Sequence, residues 1–308
     1  MICGPTGGGK TQLAMALAEA LGAGVRLRVV SADSRQVYAG FAIGTAAPTA
    51  EEQRRVPHEL VGTVAPTARF TASDWSHAAR AAIDAARAAG QTPLVVGGTG
   101  FYLRALETPL FDEPPMDEAR RGRLRTWLRT QSHEVVARWA RALDPHGTHP
   151  GRAQRERAVE LALLTGRARE SWHRGGVVAP PPLRLRTLVI DPGQMLAPRL
   201  ETRLDAMLAA GWLDEVRARM ADTPADAPAW TACGYLALRD VVTGQQTLAA
   251  ARDAVRIATR QYVKRQRTWF RHQVRDSAVT RLDPTRPDAV QQALAWWDAP
   301  SGDSTETS

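Results

Sequence analysis

The residues most suggestive of chemistry stand at the start of the chain, in the stretch GPTGGGKT at residues 4–11. This stretch matches the G-x-x-x-x-G-K-[ST] pattern of a phosphate-binding loop. Its glycines let backbone N–H groups converge on phosphate oxygens, Lys10 neutralises charge, and the Thr11 hydroxyl is placed to bind Mg²⁺. The pattern does not reveal the reaction, because kinases, nucleotide hydrolases and other phosphate-binding enzymes share it.

Two further stretches follow predicted strands, at the edge of a sheet where ligands bind. In SADSRQVY, residues 31–38, Asp33 would face the ligand crevice and can accept a proton from a nucleophile. An Asp-Ser pair is more commonly a simple turn. In GGTG, residues 97–100, the Thr99 hydroxyl can approach a substrate, and an ordinary strand-to-helix turn is the alternative.

The balance of charge favours an anionic partner such as nucleic acid. The formal net charge is +8. An arginine content raised by coding bias is the alternative explanation. Only two of the 40 basic residues are lysine, Lys10 and Lys264. In such a chain a lysine marks a place that a guanidinium does not suit, and Lys10 is the lysine of the phosphate loop.

A helix predicted near the C-terminus carries two rows of basic residues with aromatic residues between them. The first row is Arg252, Arg256, Arg260 and Lys264, the second is Arg267, Arg271 and Arg275, and the aromatic residues are Tyr262, Trp269 and Phe270. Such rows suit a polyanionic backbone, although a solvated helix face is the usual interpretation. Because seven cations with few acidic neighbours repel one another, we favour an anionic partner.

Alternating strands and helices are predicted to position these residues. Residues 11–21 and 73–89 have the pattern of helices, and residues 25–30, 93–100 and 183–192 that of strands. Functional turns at the carboxyl ends of strands indicate an α/β fold, a P-loop NTPase-like parallel sheet core. Only three residues precede the loop, so we expect a very short first strand or a chain start inside the natural one.

The character of the sequence changes near residue 112. Residues 112–182 are arginine-rich and helical in pattern, and they predict a helical insertion domain between core segments 1–111 and 183–298. Residues 200–220 and 248–274 predict two further helices, and residues 299–308 predict a disordered tail.

The composition argues against several classes of protein. No stretch approaches the roughly 20 apolar residues of a membrane span, and no secretory signal pattern precedes residue 20. Cys3 and Cys233 are too few for a disulfide framework, and His58, His77 and His149 lack metal-ligand spacing. We therefore expect a soluble, cytoplasmic protein.

Five stretches occur in a recognisable order: GPTGGGKT, SADSRQVYAGFAIGTAAPT, VPHELV, PLVVGGTGFYLRAL and ATRQYVKRQRTWFR. Together, over residues 4–272, they resemble the tRNA dimethylallyltransferases, also called tRNA isopentenylpyrophosphate transferases. Residues 33–46 and 259–271 are the most specific. The resemblance implies that the loop holds the diphosphate of dimethylallyl diphosphate, the leaving group. The implied acceptor is the exocyclic 6-amino group of the adenosine 3′ of the anticodon, in tRNAs reading codons that begin with U.

The resemblance also implies roles for individual residues. The implied catalytic residues are Asp33, Thr6, Lys10 and Arg203. The implied diphosphate-binding residues are Gly4, Pro5, Thr6, Gly7, Gly8, Gly9, Lys10 and Thr11. The implied tRNA-binding residues are Asp33, Ser34, Arg35, Gln36, Thr99, Arg120, Arg155 and Lys264. Mg²⁺ at Thr11 is the implied cofactor, the tRNA anticodon stem-loop the implied macromolecular partner, and a monomer the implied state.

The chain departs from the pattern of this family in the insertion and near the C-terminus. HPGRAQRERAVE, residues 149–160, is one residue shorter and lacks an Asn-Asp pair. The candidates for the family arginine there are Arg152, Arg155 and Arg157. Leu236 replaces an arginine expected to contact tRNA, and Arg239 is placed to compensate one turn later.

Three alternatives compete with this interpretation. A small-molecule kinase with a phosphate loop would use Asp33 as a base but does not need two basic rows at residues 252–275. An adenylate isopentenyltransferase, which prenylates a free nucleotide, has less need of an RNA-gripping insertion. An RNA-binding module with a vestigial loop would show decay of the catalytic positions. Those positions are intact: Lys10, Thr11, Asp33, Thr99 and Arg203.

Overall fold

The computed structural model describes residues 1–108, 110, 114–174, 181–183, 185–274 and 279–299. The strands among these residues are β1 (Ile2–Cys3), β2 (Leu27–Ala32), β3 (His58–Glu59), β4 (Thr92–Gly97), β5 (Thr187–Ile190) and β6 (Val279–Leu282). The first helices are α1 (Lys10–Leu21), α2 (Ala50–Arg55), α3 (Ala72–Ala88) and α4 (Gly100–Glu107). Next come α5 (Glu118–Thr130), α6 (His133–Leu143), α7 (Arg152–Thr165) and α8 (Arg169–Arg174). The last are α9 (Leu196–Ala209), α10 (Trp212–Asp222), α11 (Tyr235–Val242), α12 (Leu248–Gln273) and α13 (Ala289–Asp298).

The described strands form one parallel sheet in the order β3-β2-β4-β1-β5-β6. The two-residue strand β1 lies at its centre, where Ile2 pairs with Val96 of β4 and with Leu188 of β5. All strand pairs run parallel, so the carboxyl ends of β1, β2 and β4 meet at one edge of the sheet. This arrangement confirms the predicted parallel α/β core and brings the turns that follow these strands together.

Local signals explain why the predicted helices and strands form. In α3, the Thr71 side chain accepts from Asp74 N while Asp74 accepts from Thr71 N, a capping box that fixes where the helix begins. The predicted strands are present with shifted ends, since β2 covers 27–32 and β5 covers 187–190. The ends move because strand hydrogen bonding, rather than residue preference, sets where each strand stops.

The prediction of one helix over residues 200–220 is wrong. Two helices, α9 and α10, occupy this stretch, and Gly211 between them has a φ of 91°. A left-handed residue ends one helix and precedes the next, because it turns the chain away from the first helix axis. Five short or amphipathic elements were also not predicted: α2, β3, α11, β6 and α13.

The main core lies between the sheet and the helices beside it. Leu17 of α1 and Ile190 of β5 are fully buried in it, and Trp296 of α13 packs against the same cluster. Burial of such side chains supplies most of the favourable free energy of folding. None of the helices that the structure describes is both long enough and apolar enough to cross a bilayer.

The chain divides into two compact units. The first comprises the described parts of Met1–Thr108 and Leu183–Ser308, and the second those of Pro109–Pro182. Within the first unit, Leu183 N donates to Leu106 O at 2.9 Å, so the chain leaves and re-enters it at one point. The second unit begins three residues before the predicted boundary at 112 and has a core of its own, made of Leu128, Val136, Ala140, Ala158 and Val159. The predicted tail lies outside the described residues, apart from residue 299.

Candidate active site

The phosphate loop connects β1 to the first turn of α1. Gly7 and Gly9 adopt left-handed conformations, with φ of 75° and 90°. Gly8 N donates to Pro5 O at 3.1 Å and closes the turn. α1 begins after Gly9, and among the described residues no side chain caps this helix end. The N–H groups of its first turn are therefore available to bind a ligand. The loop is therefore built to bind an anion at a helix N-terminus.

Lys10 lies at the centre of this loop. Its Nζ donates to Gly4 O at 3.1 Å and to Pro5 O at 2.9 Å. Burial lowers the pKa of Lys10 to about 8, against the opposing effect of the Asp33 carboxylate. The ammonium is thus held by loop carbonyls, in a place where an anionic ligand would restore a high pKa.

Asp33 follows β2 directly and takes part in two features of the structure, a turn and a cleft. Its Oδ1 accepts from Arg35 N at 2.8 Å and from Gln36 N at 3.3 Å. The turn-forming role weighed from the sequence is therefore present. The same half-buried carboxylate also lines the cleft above the phosphate loop, together with Lys10 and Arg203. Because its turn fixes Oδ1, the side chain presents a defined face to that cleft.

Thr99 ties the turn after β4 to the turn after β2. Its N–H donates to Ala32 O at 3.1 Å, and its Oγ1 accepts from Ser34 N at 3.0 Å. Gln36 extends this network, because its Nε2 donates to Ala46 O at 3.0 Å. Ser34, Gln36 and Thr99 thus surround Asp33 with hydrogen bonds that fix the two turns relative to each other.

Two arginines of α9 face the phosphate loop. Arg203 is half-buried, and its Nη2 donates to Thr45 O at 3.3 Å. Burial lowers the pKa of Arg203, while Asp33 raises it. Arg199, which sequence reasoning did not identify, donates from Nε to Gly7 O at 3.2 Å. Its one available signal was its i, i+4 relation to Arg203, which places both on one face of a helix.

These residues line a cleft of about 670 Å³ at the carboxyl edge of the sheet. Its lining includes the cations Lys10, Arg199 and Arg203, the hydroxyl of Thr11, the carboxylate of Asp33 and the amide of Gln36. A smaller pocket of about 80 Å³ adjoins it and shares Thr6, Asp33 and Arg203 with it. Its apolar lining is Leu200, Leu204, Met207, Trp212, Val255 and Tyr262. The site therefore offers cations, a carboxylate and an apolar surface within reach of one ligand.

Gln266 is a second residue that sequence reasoning missed. Its Oε1 accepts from Thr6 N at 2.8 Å, and its Nε2 donates to Gly98 O at 2.8 Å. The side chain is buried and joins α12 to both the phosphate loop and the turn after β4. A sequence signal existed, because Gln266 interrupts the buried stripe of Val263 and Phe270 at helical spacing.

Sequence comparison places this site in a known family. The profile of the family described as IPP transferase matches residues 36–273, and that described as Isopentenyl transferase matches residues 1–60. The chain belongs to the IPP transferase family. The first match begins at Gln36, in the turn after β2, and includes Thr99, Arg203 and α12. It therefore covers most of the elements that build the cleft.

Relatives within the IPP transferase family match over nearly the whole chain. The tRNA dimethylallyltransferase of Rhodospirillum centenum is 43% identical over 292 residues, which are 92% of this chain and 91% of the relative. That of Nitratidesulfovibrio vulgaris is 42% identical over 303 residues, covering 94% and 93%.

Solved structures give the same result for the fold. The tRNA isopentenylpyrophosphate transferase of Bacillus halodurans has a TM-score of 0.66 at 30% identity, covering 96% of this chain and 94% of that one. A eukaryotic dimethylallyltransferase described as acting on tRNA has a TM-score of 0.75 at 24% identity, covering 96% and 77%, which bears on the fold alone. This chain thus shares its fold with both solved structures.

The basic rows of α12 are less cationic than the sequence suggested. Arg252 pairs with Asp205 at 2.8 Å and Arg260 with Glu201 at 2.9 Å. The remaining pairs are Arg256 with Asp253 and Arg267 with Asp191. The expectation of few acidic neighbours is therefore wrong, because α9 and the end of β5 supply carboxylates from distant parts of the chain. Arg271 has a partner as well, and Arg275 lies outside the described residues.

One part of α12 remains cationic and open. Lys264 and Arg265 are exposed and form no ion pair with any residue that the structure describes. They line a shallow groove of about 510 Å³ with Thr268, Trp269, His272 and Gln273. This groove combines positive charge with an aromatic ring, as protein surfaces that bind nucleic acid do.

The predicted tRNA contacts of the second unit lie on two of its helices. Arg120 is exposed in the first turn of α5. The three candidate arginines of α7 all have intramolecular partners. Arg152 Nη2 donates to Leu128 O at 2.8 Å, Arg155 Nε to His149 O at 3.1 Å, and Arg157 Nη1 to Glu160 at 3.0 Å. Glu160 is buried and also binds Arg121 and Arg125, so Arg157 belongs to a structural cluster.

Arg35 and Arg239 contact neighbouring loops. Arg35 borders the apolar pocket and donates to the Thr231 hydroxyl. Arg239 donates from Nη1 to Ala225 O at 2.8 Å, and its guanidinium lies 4.6 Å from the ring centroid of Trp230. Arg239, expected to replace the arginine lost at Leu236, is therefore engaged within the protein.

A magnesium ion bound with a diphosphate would need few protein ligands. Such ions keep several waters and take one or two protein oxygens besides phosphate oxygens. The half-buried Thr11 lines the cleft beside Lys10, so its hydroxyl fits this need. Among the described residues no group of three or more His, Cys, Asp or Glu side chains is arranged to hold a metal alone. The donor set thus suits a diphosphate-borne Mg²⁺.

Proposed function

We propose that this chain transfers a dimethylallyl group from dimethylallyl diphosphate to tRNA. The acceptor is the exocyclic 6-amino group of the adenosine 3′ of the anticodon, in tRNAs reading codons that begin with U, and diphosphate is released. One observation carries the proposal: the cations of the phosphate loop and α9 share a cleft with Asp33, and that cleft adjoins an apolar pocket. The tRNA dimethylallyltransferase relatives support the choice of donor and acceptor.

The loop and α9 would bind the diphosphate. Backbone N–H groups at residues 4–11, the Lys10 ammonium and the Arg203 guanidinium neutralise the charge that grows as the leaving group departs. Thr11 would hold Mg²⁺, which supplies Lewis-acid stabilisation of the diphosphate when it is bound. Thr6, which lines both cavities, would contact the same diphosphate.

Asp33 would act on the acceptor. The amine nitrogen forms a bond to the allylic carbon, the carbon–oxygen bond to diphosphate breaks with its electrons, and the amine proton moves to the Asp33 carboxylate. Hydrogen bonds from Arg35 N and Gln36 N hold this carboxylate in place.

The adenosine would reach this cleft by leaving its stack. A base stacked inside an anticodon loop cannot present its amino group to a carboxylate within a cleft, so it is extruded. The residues proposed to contact tRNA are Asp33, Ser34, Arg35, Gln36, Thr99, Arg120, Arg155 and Lys264. The helical unit at 109–182 and the Lys264 groove of α12 would hold the stem-loop, and the enzyme would act as a monomer.

The test is a transfer assay with radiolabelled dimethylallyl diphosphate, Mg²⁺ and unmodified tRNA whose anticodon ends in A. We expect label in tRNA, and N6-modified adenosine after digestion to nucleosides. Asp33→Asn should lower the rate by about 100-fold or more. Asp84→Asn, at an exposed carboxylate of α3, is the control and should leave the rate unchanged.

Labelled ATP is tested in parallel as a phosphoryl donor. Phosphate transfer from ATP with no label in tRNA would replace this proposal with a kinase. Binding of tRNA without turnover of either donor would replace it with an RNA-binding module.

A further inference from the structure

A carboxylate outside the cleft fills a ring of backbone N–H groups. Glu215 of α10 accepts from Ala42 N at 2.9 Å and Ile43 N at 2.7 Å through Oε2, and from Gly44 N at 3.3 Å through Oε1. Three consecutive N–H groups that converge on one anion form a nest. Here a side chain of the protein itself occupies the nest, so Glu215 fixes the path of the loop at residues 41–47.

Tyr235 of α11 completes this arrangement. Its hydroxyl donates to Glu215 Oε1 at 2.6 Å and accepts from Gly44 N at 3.1 Å. The side chain is fully buried. Burial and the hydrogen bond to Glu215 raise the pKa of Tyr235, so the hydroxyl keeps its proton and remains a donor. The loop is thus held by two side chains from two different helices.

Close packing leaves the loop no alternative path. A Cβ at Gly44 would lie 2.0 Å from Trp212 Nε1, which only glycine avoids. Phe41 packs at 4.9 Å from Tyr235 and at 5.0 Å from Trp230, centroid to centroid. The start of the loop is therefore anchored by apolar contact, and its middle by charge.

The far side of the same loop faces the active site. Thr45 O accepts from Arg203 Nη2 at 3.3 Å and from Gln36 Nε2 at 3.2 Å. Ala46 O accepts from the same Gln36 amide at 3.0 Å. A shift of the loop would move both acceptors and would release Arg203, the cation proposed to neutralise the leaving group.

We propose that Glu215 and Tyr235 are positioning residues for the transfer reaction, holding the 41–47 loop so that it fixes Arg203 and Gln36 at the cleft. This inference rests on the proposed function for the identity of the reaction. Neither residue lines the cleft beside the phosphate loop, so both act through the loop rather than on the substrate.

A double-mutant cycle with Arg203 tests this role. We expect Glu215→Gln to lower kcat by about 10- to 100-fold, since small displacements of catalytic groups have effects of that size. In an Arg203→Ala background the same change should lower kcat by a clearly smaller factor, because one of the two side chains that the loop fixes is already gone. Asp214→Asn is the control, because Asp214 lies in the same helical turn and pairs only with Arg217 among the described residues. It should leave kcat unchanged in both backgrounds.

Equal losses in both backgrounds, or no loss in either, would overturn the positioning role. If Glu215→Gln unfolds at the assay temperature, Tyr235→Phe takes its place, because it removes one hydroxyl and keeps the ring packing. The cycle is also read on binding of inorganic diphosphate with Mg²⁺, where we expect about three- to tenfold weaker binding only when Arg203 is present. A native protein that binds diphosphate but transfers no label would overturn the proposed function, while the binding cycle still decides the positioning role.

Discussion

At the scale of single residues, the site depends on partly buried charges that hydrogen bonds hold in place. Lys10 is bound to two loop carbonyls, and Asp33 to two backbone N–H groups. Burial acts against the charge on Lys10, while the nearby carboxylate supports it. An anionic ligand therefore changes the protonation of this site as well as its occupancy.

Binding of dimethylallyl diphosphate should weaken as the pH rises above 8. The pKa of free Lys10 is about 8, well below its ordinary 10.5, so the ammonium is progressively lost above that pH. A bound diphosphate favours the charged form, so binding near pH 9 should take up a proton, and affinity should fall by up to about tenfold per pH unit. Calorimetry in buffers of different ionisation enthalpy measures this uptake.

Lys10→Arg is the control for that experiment, since arginine does not titrate in this range. Its binding should be weaker but flat between pH 8 and 10. Native affinity that is equally flat would show that Lys10 keeps its proton in the free protein. The sign for stability is opposite: burial of the charged lysine costs stability below pH 8, and this cost is relieved as the pH rises towards 10.5.

The sequence predicted the residues of the loop better than their partners. Spacing alone identified the phosphate loop, because its glycines and lysine are local in the chain. Arg199 and Gln266 escaped notice because each acts on the loop from about 190 or 260 residues away. The role of Asp33 could not be chosen from its sequence either, since the turn and the cleft use the same carboxylate.

At the scale of elements, α12 joins the outer surface to the phosphate loop. Its buried face presents Gln266 to Thr6 N and Gly98 O, and its exposed face carries Lys264 and Arg265. Arg256 pairs with Asp253 inside the helix, whereas Arg252, Arg260 and Arg267 pair with carboxylates distant in sequence, chiefly in α9. No periodicity within the helix could reveal them, so the predicted cationic face is larger than the real one.

Gln266→Leu should destabilise the protein and loosen the phosphate loop. The leucine leaves Thr6 N and Gly98 O buried without their partner, which costs about 1–3 kcal/mol for each unsatisfied group. Urea unfolding measures the loss, and inorganic diphosphate should also bind less tightly. Gln261→Leu, at an exposed position of the same helix, should leave both quantities unchanged. Equal urea midpoints for Gln266→Leu and Gln261→Leu would contradict the role of Gln266 in stabilising the phosphate loop.

Salt dependence should distinguish the free cations of α12 from the paired ones. Lys264→Ala and Arg265→Ala should each lower the slope of log affinity for tRNA against log salt by roughly 0.7–0.9. Arg260→Ala should change it little, because Glu201 already offsets that charge. Filter binding at salt concentrations from about 50 to about 200 mM measures the affinity for tRNA and gives these slopes. An equal effect at all three positions would mean that Glu201 releases Arg260 to the RNA.

At the scale of the whole molecule, the division into two units suggests a division of tasks. The first unit contains every residue of the cleft, and the second has a separate core. The hydrogen bond from Leu183 N to Leu106 O shows that the two ends of the insertion are adjacent. Such close ends let a domain be removed without stretching the core.

Replacing residues 110–181 by a short Gly/Ser linker should separate the two tasks. The shortened protein should fold and bind inorganic diphosphate within about threefold of the native affinity, because the cleft is intact. Its kcat/KM with tRNA should fall by roughly 100-fold, about 2.7 kcal/mol, since the proposed contacts of α5 and α7 are lost. Unchanged kcat/KM would remove the second unit from the proposal, and loss of diphosphate binding would show that the core needs it to fold.

The central position of β1 also sets an order of events during synthesis. Ile2 pairs with residues of β4 and β5, and β5 is made only after the entire insertion. The contacts of the second unit are local by comparison, so it can fold on the ribosome while the sheet is still incomplete. The phosphate loop, which is made before β4 and β5, would then be among the last parts to reach its final structure. β1 must stay unpaired in the meantime, which makes it a segment in need of protection by chaperones.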